Sequence, residues 1–173
     1  HIQVLDSKSA CMAQGFAVIA AARLAATGAS LEEVAARARK VTSKEHLYLM
    51  VDTLEYLRRG GRIGEAASLL GSILQFKPIL TVLDSQVEPL AKPRSRKKGM
   101  QWMIKEMANE VKEQPVHAAI IQGDARDEAE QLRQLVSERF ECKELYITEF
   151  TPVMGAHAGP GVLGVAFYVD DDD

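Results

Sequence analysis

Val51-Asp52-Thr53-Leu54-Glu55-Tyr56-Leu57-Arg58-Arg59-Gly60-Gly61-Arg62-Ile63 joins two kinds of segment near the middle of this chain. Its first residue closes His46-Leu47-Tyr48-Leu49-Met50-Val51, a continuous apolar run suited to an internal strand. Asp52 or Thr53 is then placed to cap a short helix over 54–59, which the double glycine ends. An apolar helix is expected beyond it, from Glu65 to Leu74. A buried strand running through a cap into helices is the unit of an α/β fold.

The same alternation extends in both directions. Toward the N-terminus, Ile2-Gln3-Val4-Leu5 reads as a short strand, and Met12 to Thr27 as an alanine-rich helix stopped by Gly28. Ser30 and Glu33 form a capping box that opens a second helix, running to about Thr42. Toward the C-terminus, Pro78–Leu83 and Val87–Leu90 read as a hairpin turned by Asp84-Ser85-Gln86. A helix follows over about Met100–Lys112, then the strand Val116–Ile121, a helix over Arg126–Phe140 capped by Asp124, and a half-exposed strand over Glu144–Phe150. Met154-Gly155-Ala156-His157-Ala158-Gly159-Pro160-Gly161 reads as a glycine-rich turn before the buried strand Val162–Tyr168.

Composition bounds the function. The chain has 173 residues, 47% apolar and 26% charged, the mix of a soluble globular domain. A net charge of −3 speaks against a general nucleic-acid binder, which carries a basic excess. No apolar run is long enough for stable membrane insertion. Cys11 and Cys142 lie far apart, without metal-ligand spacing, and read as reduced thiols of a cytoplasmic protein. The abrupt start in mid-strand is expected of a fragment, and Asp170–Asp173 of an acidic tail with no assigned function.

Few residues suggest chemistry. There is no GxGxxG, P-loop, GxSxG or zinc spacing, so no metal, nucleotide or other cofactor is expected. His157, in its glycine-rich segment, can present an imidazole to an anionic or hydroxylic group, or simply bond its own loop. Arg62, after the double glycine, can project toward a carboxylate or stay on the surface. Lys92, Arg94, Arg96, Lys97 and Lys98 form a basic cluster, which reads as a solvated face or as an attractor of an acidic or phosphorylated partner. His117 and His46, in apolar strands, read as structural.

The run from Val51 to Ile63 closely resembles the signature of the DegV family of bacterial fatty-acid-binding proteins. Three further segments match in order: Val4-Leu5-Asp6-Ser7-Lys8-Ser9, then Lys77-Pro78-Ile79-Leu80 with Lys92-Pro93-Arg94, then Gly155-Ala156-His157-Ala158-Gly159-Pro160-Gly161. The resemblance implies a DegV-like C-terminal α/β domain over 53–169, with a mixed or antiparallel sheet and flanking helices. Residues 1–52 would be the last part of an N-terminal α/β domain, and 170–173 the tail.

The resemblance further implies a carrier, not an enzyme. It would hold a long-chain fatty acid and present it to a fatty acid kinase, which makes the acyl phosphate. On this pattern Arg62 and His157 belong to the network around the fatty acid carboxylate, and Arg94 to the rim that meets the kinase or acyl phosphate. The family's SSxLSGT-like motif, which completes that network from the N-terminal domain, is absent from this sequence, and its usual threonine after the histidine is Ala158. Leu74, Phe76, Ile79, Val153 and Met154 are candidate walls for the acyl chain. Two other readings stand beside it: a small hydrolase or phosphotransferase using His157 as base, and an interaction module using the cluster around Arg94.

Overall fold

The structure, a computed structural model, describes residues 1–71 and 75–170. Six strands form one mixed sheet: β1 (His46–Met50), β2 (Ile79–Leu83), β3 (Gln86–Ala91), β4 (Val116–Gly123), β5 (Cys142–Glu149) and β6 (Val162–Val169). Their order is β3-β2-β1-β6-β4-β5, antiparallel throughout except for the parallel pair β4–β5. That pair is joined through a helix, as parallel neighbours must be. The α/β fold with a mixed sheet and flanking helices is as the sequence predicts. β1, which precedes the expected boundary at residue 52, pairs with both β2 and β6.

Strand alternation sorts the core into two layers. Tyr48 and Met50 of β1 point to the face covered by α4 (Arg96–Val111) and α5 (Arg126–Arg139), against Met103, Met107, Leu132 and Val136. Leu47 and Leu49 point to the other face, beneath α1 (Cys11–Ala25). There α1 buries Ala13, Phe16, Ala17 and Ala20, the i, i+3, i+4, i+7 stripe of a helix on a sheet. The alanines bring α1 close, and Phe16 fills the remaining space against Tyr168, with ring centroids 5.3 Å apart. Burying that ring contributes about 1.5–3 kcal/mol.

Helix α2 (Leu31–Thr42) opens on the expected capping box: Ser30 Oγ accepts from Glu33 N–H, and the Glu33 carboxylate accepts from Ser30 N–H. The same face carries α3 (Glu55–Arg59), a 3-10 helix (Gly64–Leu69) and α6 (Pro152–Ala158).

Several local expectations are corrected. Residues 2–5 form no strand. Ile2 and Val4 are 93% and 88% exposed, and neither sheet edge pairs with them. The helix expected over 65–74 is a 3-10 helix as far as Leu69, and its end lies outside the described residues. Helix α4 begins four residues earlier than expected, because Ser95 Oγ accepts from Lys98 N–H and so caps it. Asp124 does not cap α5: it sits at φ 57°, and Gln122 Oε1 accepts from Ala125 N–H instead. Asp170, expected in a solvated tail, is ion-paired with Arg37.

The largest correction concerns His157. It lies on α6, not in a turn. Thr151 is the N-cap, its Oγ1 accepting from Met154 N–H, and Pro152 takes the first helical position, where its missing N–H is no loss. The glycine-rich run begins only at the helix end, with Gly159 at φ 79° and Gly161 at φ 80°.

Candidate site at the seam of two short helices

Helices α3 and α6 are too short to be stable alone. They are held against each other along a seam in which side chains lie on glycines. A β-carbon built on Gly161 would overlap the Asp52 carboxylate, one on Gly159 the Tyr56 ring, and one on Gly60 the His157 imidazole. The contacts run in opposite directions along the two segments: 52 on 161, 56 on 159, 60 on 157. Close approach of this kind needs glycine on one side of each contact.

The seam places two of the expected site residues about one residue. The His157 ring is seated on Gly60, and Arg62 Nη1 donates to the Gly60 carbonyl at 3.1 Å. His157 Nδ1 is buried and has no hydrogen-bond partner among the described residues. Buried polar atoms are nearly always paired, so this nitrogen, like Glu45 Oε2 and Arg96 Nη2, is a position where an added donor or acceptor would be stabilising. Arg62 is exposed, with its charge free to face an anion. Arg94 is not brought to this group. It is exposed on the connection between β3 and α4, and makes no hydrogen bond or ion pair among the described residues.

Beside His157 lies an apolar cavity of about 60 Å³, between α6 and the sheet. Leu49, Val51, Leu80 and Val82 floor it, and Phe150, Met154 and Ala158 close it. It holds only a short stretch of hydrocarbon. Of the expected walls, Met154 lines this cavity, while Ile79 is buried in the core on the opposite face of the sheet. Val153 is 71% exposed, Phe76 packs at the margin of the core under Lys92, and Leu74 lies outside the described residues.

At the other end of the seam stands a charged group that the sequence reading missed. Arg96, expected on a solvated face, is only 19% exposed. Its Nη1 donates to Asp52 Oδ1 at 3.1 Å and to the Gly161 carbonyl at 2.8 Å, and its Nε to Glu128 Oε1 at 2.5 Å. Lys77 Nζ adds a second cation to Asp52 Oδ1 at 2.9 Å. Burial alone would raise the Asp52 carboxyl pKa, but Lys77 and Arg96 outweigh it and hold it below the ordinary value. Asp52 is thus an anchor, and neither it nor Thr53 is the cap of α3: the N-cap position is Leu54, without a side-chain cap, and Thr53 Oγ1 accepts from Glu55 N–H just ahead of the helix. The signal was present in Ser95, an N-cap residue that puts Arg96 in a first helical turn.

A second histidine cluster lies between α1 and the β4–β5 edge. Glu144 accepts from both Arg23 guanidinium nitrogens at 3.1 and 2.6 Å, from the Tyr146 hydroxyl at 2.6 Å, and pairs with His117 Nδ1 at 2.7 Å. His117 also stacks on Tyr168 with centroids 4.5 Å apart. This group fastens α1 to the sheet. Among the described residues no set of three or more His, Cys, Asp or Glu could hold a metal ion, and no helix is long and apolar enough to cross a membrane.

The sequence profile of the DegV family, described as uncharacterised, matches residues 1–170. The chain belongs to the DegV family. A DegV domain-containing protein of Clostridium acetobutylicum is 38% identical over 170 residues, 98% of this chain and 59% of the relative. Protein DegV of Bacillus subtilis is 36% identical over 164 residues, covering 94% and 58%. Among solved structures, that of a DegV family protein from Thermus thermophilus, described by its fatty acid binding, superposes with a TM-score of 0.92 at 31% identity, over 98% of this chain and 61% of that one. DegV of Bacillus subtilis, described as a fatty acid binding protein, gives 0.83 at 32%, over 96% and 60%. This DegV chain therefore spans about three fifths of the length of the relatives it matches.

Proposed function

We propose that this DegV chain is the part of a fatty-acid-binding carrier that receives the carboxylate end of a long-chain fatty acid, with Arg62 and His157 as its contacts. One observation carries the reading: a buried imidazole nitrogen, without a partner among the described residues, at the edge of an apolar cavity, with an exposed arginine anchored to the same glycine. The fatty acid binding described for the Thermus and Bacillus structures supports it. The cavity beside His157 takes only a short stretch of hydrocarbon, and full burial of an acyl chain of about 16 carbons, which gains on the order of 10 kcal/mol before ordering costs, draws on walls beyond it. The polar end need only orient and neutralise one charge.

Presentation to a kinase is the finer part of the proposal. Arg94 suits it because it is exposed and uncommitted, whereas Arg96 from the same cluster is tied down. In this reading the protein supplies no catalysis of its own, and the kinase performs the phosphoryl transfer. A cytoplasmic location fits the two free thiols.

The test is titration of the chain with palmitate, read by native mass spectrometry and by displacement of a fluorescent fatty acid. Palmitate should bind at one site, and His157→Ala and Arg62→Ala should each weaken it about tenfold, the loss of one charge-assisted contact. Absence of binding, or variants that bind like the parent, would overturn the proposal.

A further inference from the structure

The seam between α3 and α6 has two ends, and the orphaned imidazole sits at only one of them. Seating His157 on Gly60 requires that α3 and α6 keep their spacing, yet neither helix has interior stability to keep it. At the opposite end, one guanidinium joins both segments: Arg96 Nη1 reaches Asp52, which leads into α3, and the Gly161 carbonyl, which follows α6. Gly161 is itself fixed, its N–H donating to the Gly123 carbonyl at 2.8 Å. Glu128 on α5 and Lys77 complete the charge balance, and the Glu128 pair ties the group to the α4–α5 layer.

We propose that Arg96 is a positioning residue for the His157 site: by bridging Asp52 and Gly161 it fixes the register of the α3–α6 seam and so aims the imidazole. This rests on the carrier reading for its purpose, but the geometric claim stands apart from lipid. A lysine cannot replace Arg96 here, because a single ammonium on a flexible stem lacks the planar fork that reaches Glu128, Asp52 and Gly161 together.

The deciding experiment records the His157 imidazole resonances of the lipid-free chain by NMR. Spectra of Arg96→Lys are compared with those of Val136→Ala, a core variant on α5 that lowers stability without touching the seam. Arg96→Lys should shift or broaden the His157 ring signals while the fold persists by circular dichroism, and Val136→Ala should leave them in place. If Arg96→Lys does not fold, Asp52→Asn tests the same bridge. Unchanged His157 signals in a folded bridge variant, or equal shifts in Val136→Ala, would overturn the proposal.

The lipid arm is separate. Arg96→Lys should weaken palmitate binding about tenfold in the parent but leave it unchanged in a His157→Ala background, since both changes act through one group. An additive loss in the double variant would show that Arg96 does not act through His157. A parent chain that binds no palmitate refutes the carrier reading and leaves the NMR result to decide the positioning role.

Discussion

His157 occupies the space that a side chain on Gly60 would fill. Gly60 has φ −76°, which any residue adopts, so glycine is required there by contact and not by backbone conformation. Gly60→Ala should therefore push the imidazole or α3 aside, destabilising the chain by about 1–3 kcal/mol. Gly61→Ala is the comparison. Its φ of 66° makes alanine strained by about 1–2 kcal/mol, but nothing lies within 4 Å of the added carbon. Both variants should lose stability in urea unfolding, and only Gly60→Ala should move the His157 ring resonances.

Glu144 sets an acid limit on stability. Burial would raise its pKa, but hydrogen bonds from Arg23, Tyr146 and His117 prevail and hold it at about 2. A carboxyl depressed in the folded state stabilises fully above its unfolded pKa, and that contribution is lost as pH falls toward the folded value. Stability should drop by on the order of 2 kcal/mol between about pH 4.5 and 2. Glu144→Gln should start less stable at neutral pH and lose less across this window. Parallel pH curves for the two proteins, measured by urea midpoints, would contradict this assignment.

The β2–β3 hairpin turns on Asp84 and Ser85, at φ 46° and 68°, the mirror-image geometry that glycine fits best at the second position. Asp84 is also held by Lys8 Nζ at 2.9 Å. Ser85→Gly should relieve the turn and raise the melting temperature by about 2–4 °C per kcal/mol gained. A lowered melting temperature would mean that the serine is favoured by something other than the turn.

Arg94 and Arg96 lie two residues apart and should separate cleanly in function. Arg94→Glu reverses an exposed charge that has no partner among the described residues, so melting temperature and palmitate affinity should stay near the parent values. Under the carrier proposal it should nevertheless abolish phosphorylation of the bound fatty acid when a fatty acid kinase and ATP are added. Undiminished phosphorylation would remove Arg94 from that role.

The fold was legible where local signals were unambiguous. The continuous apolar run His46–Val51, the Ser30–Glu33 capping box and the apolar run Val162–Tyr168 each point to one structure, and each forms it. Residues 2–5 misled because an apolar tetrapeptide looks like a strand whether or not a neighbour is there to pair with it. His157 misled in a different way: its glycines drew the reading toward a turn, although Thr151-Pro152 ahead of them is a helix start. Arg62 and His157 were named through the resemblance, and the structure brings them together on Gly60; the Arg96–Asp52 pair was not read, because it joins residues 44 apart in the chain that only the fold brings together.

The seam has an evolutionary consequence. Its three contacts are defined by carbon atoms that are missing at Gly60, Gly159 and Gly161, and every possible replacement of a glycine supplies that carbon. A packed core can drift by trading volume between neighbours, but here no smaller residue exists to trade with. Change at this seam must come from the partners Asp52, Tyr56 and His157, so its variation within the family should be written in those side chains and not in the glycines beneath them.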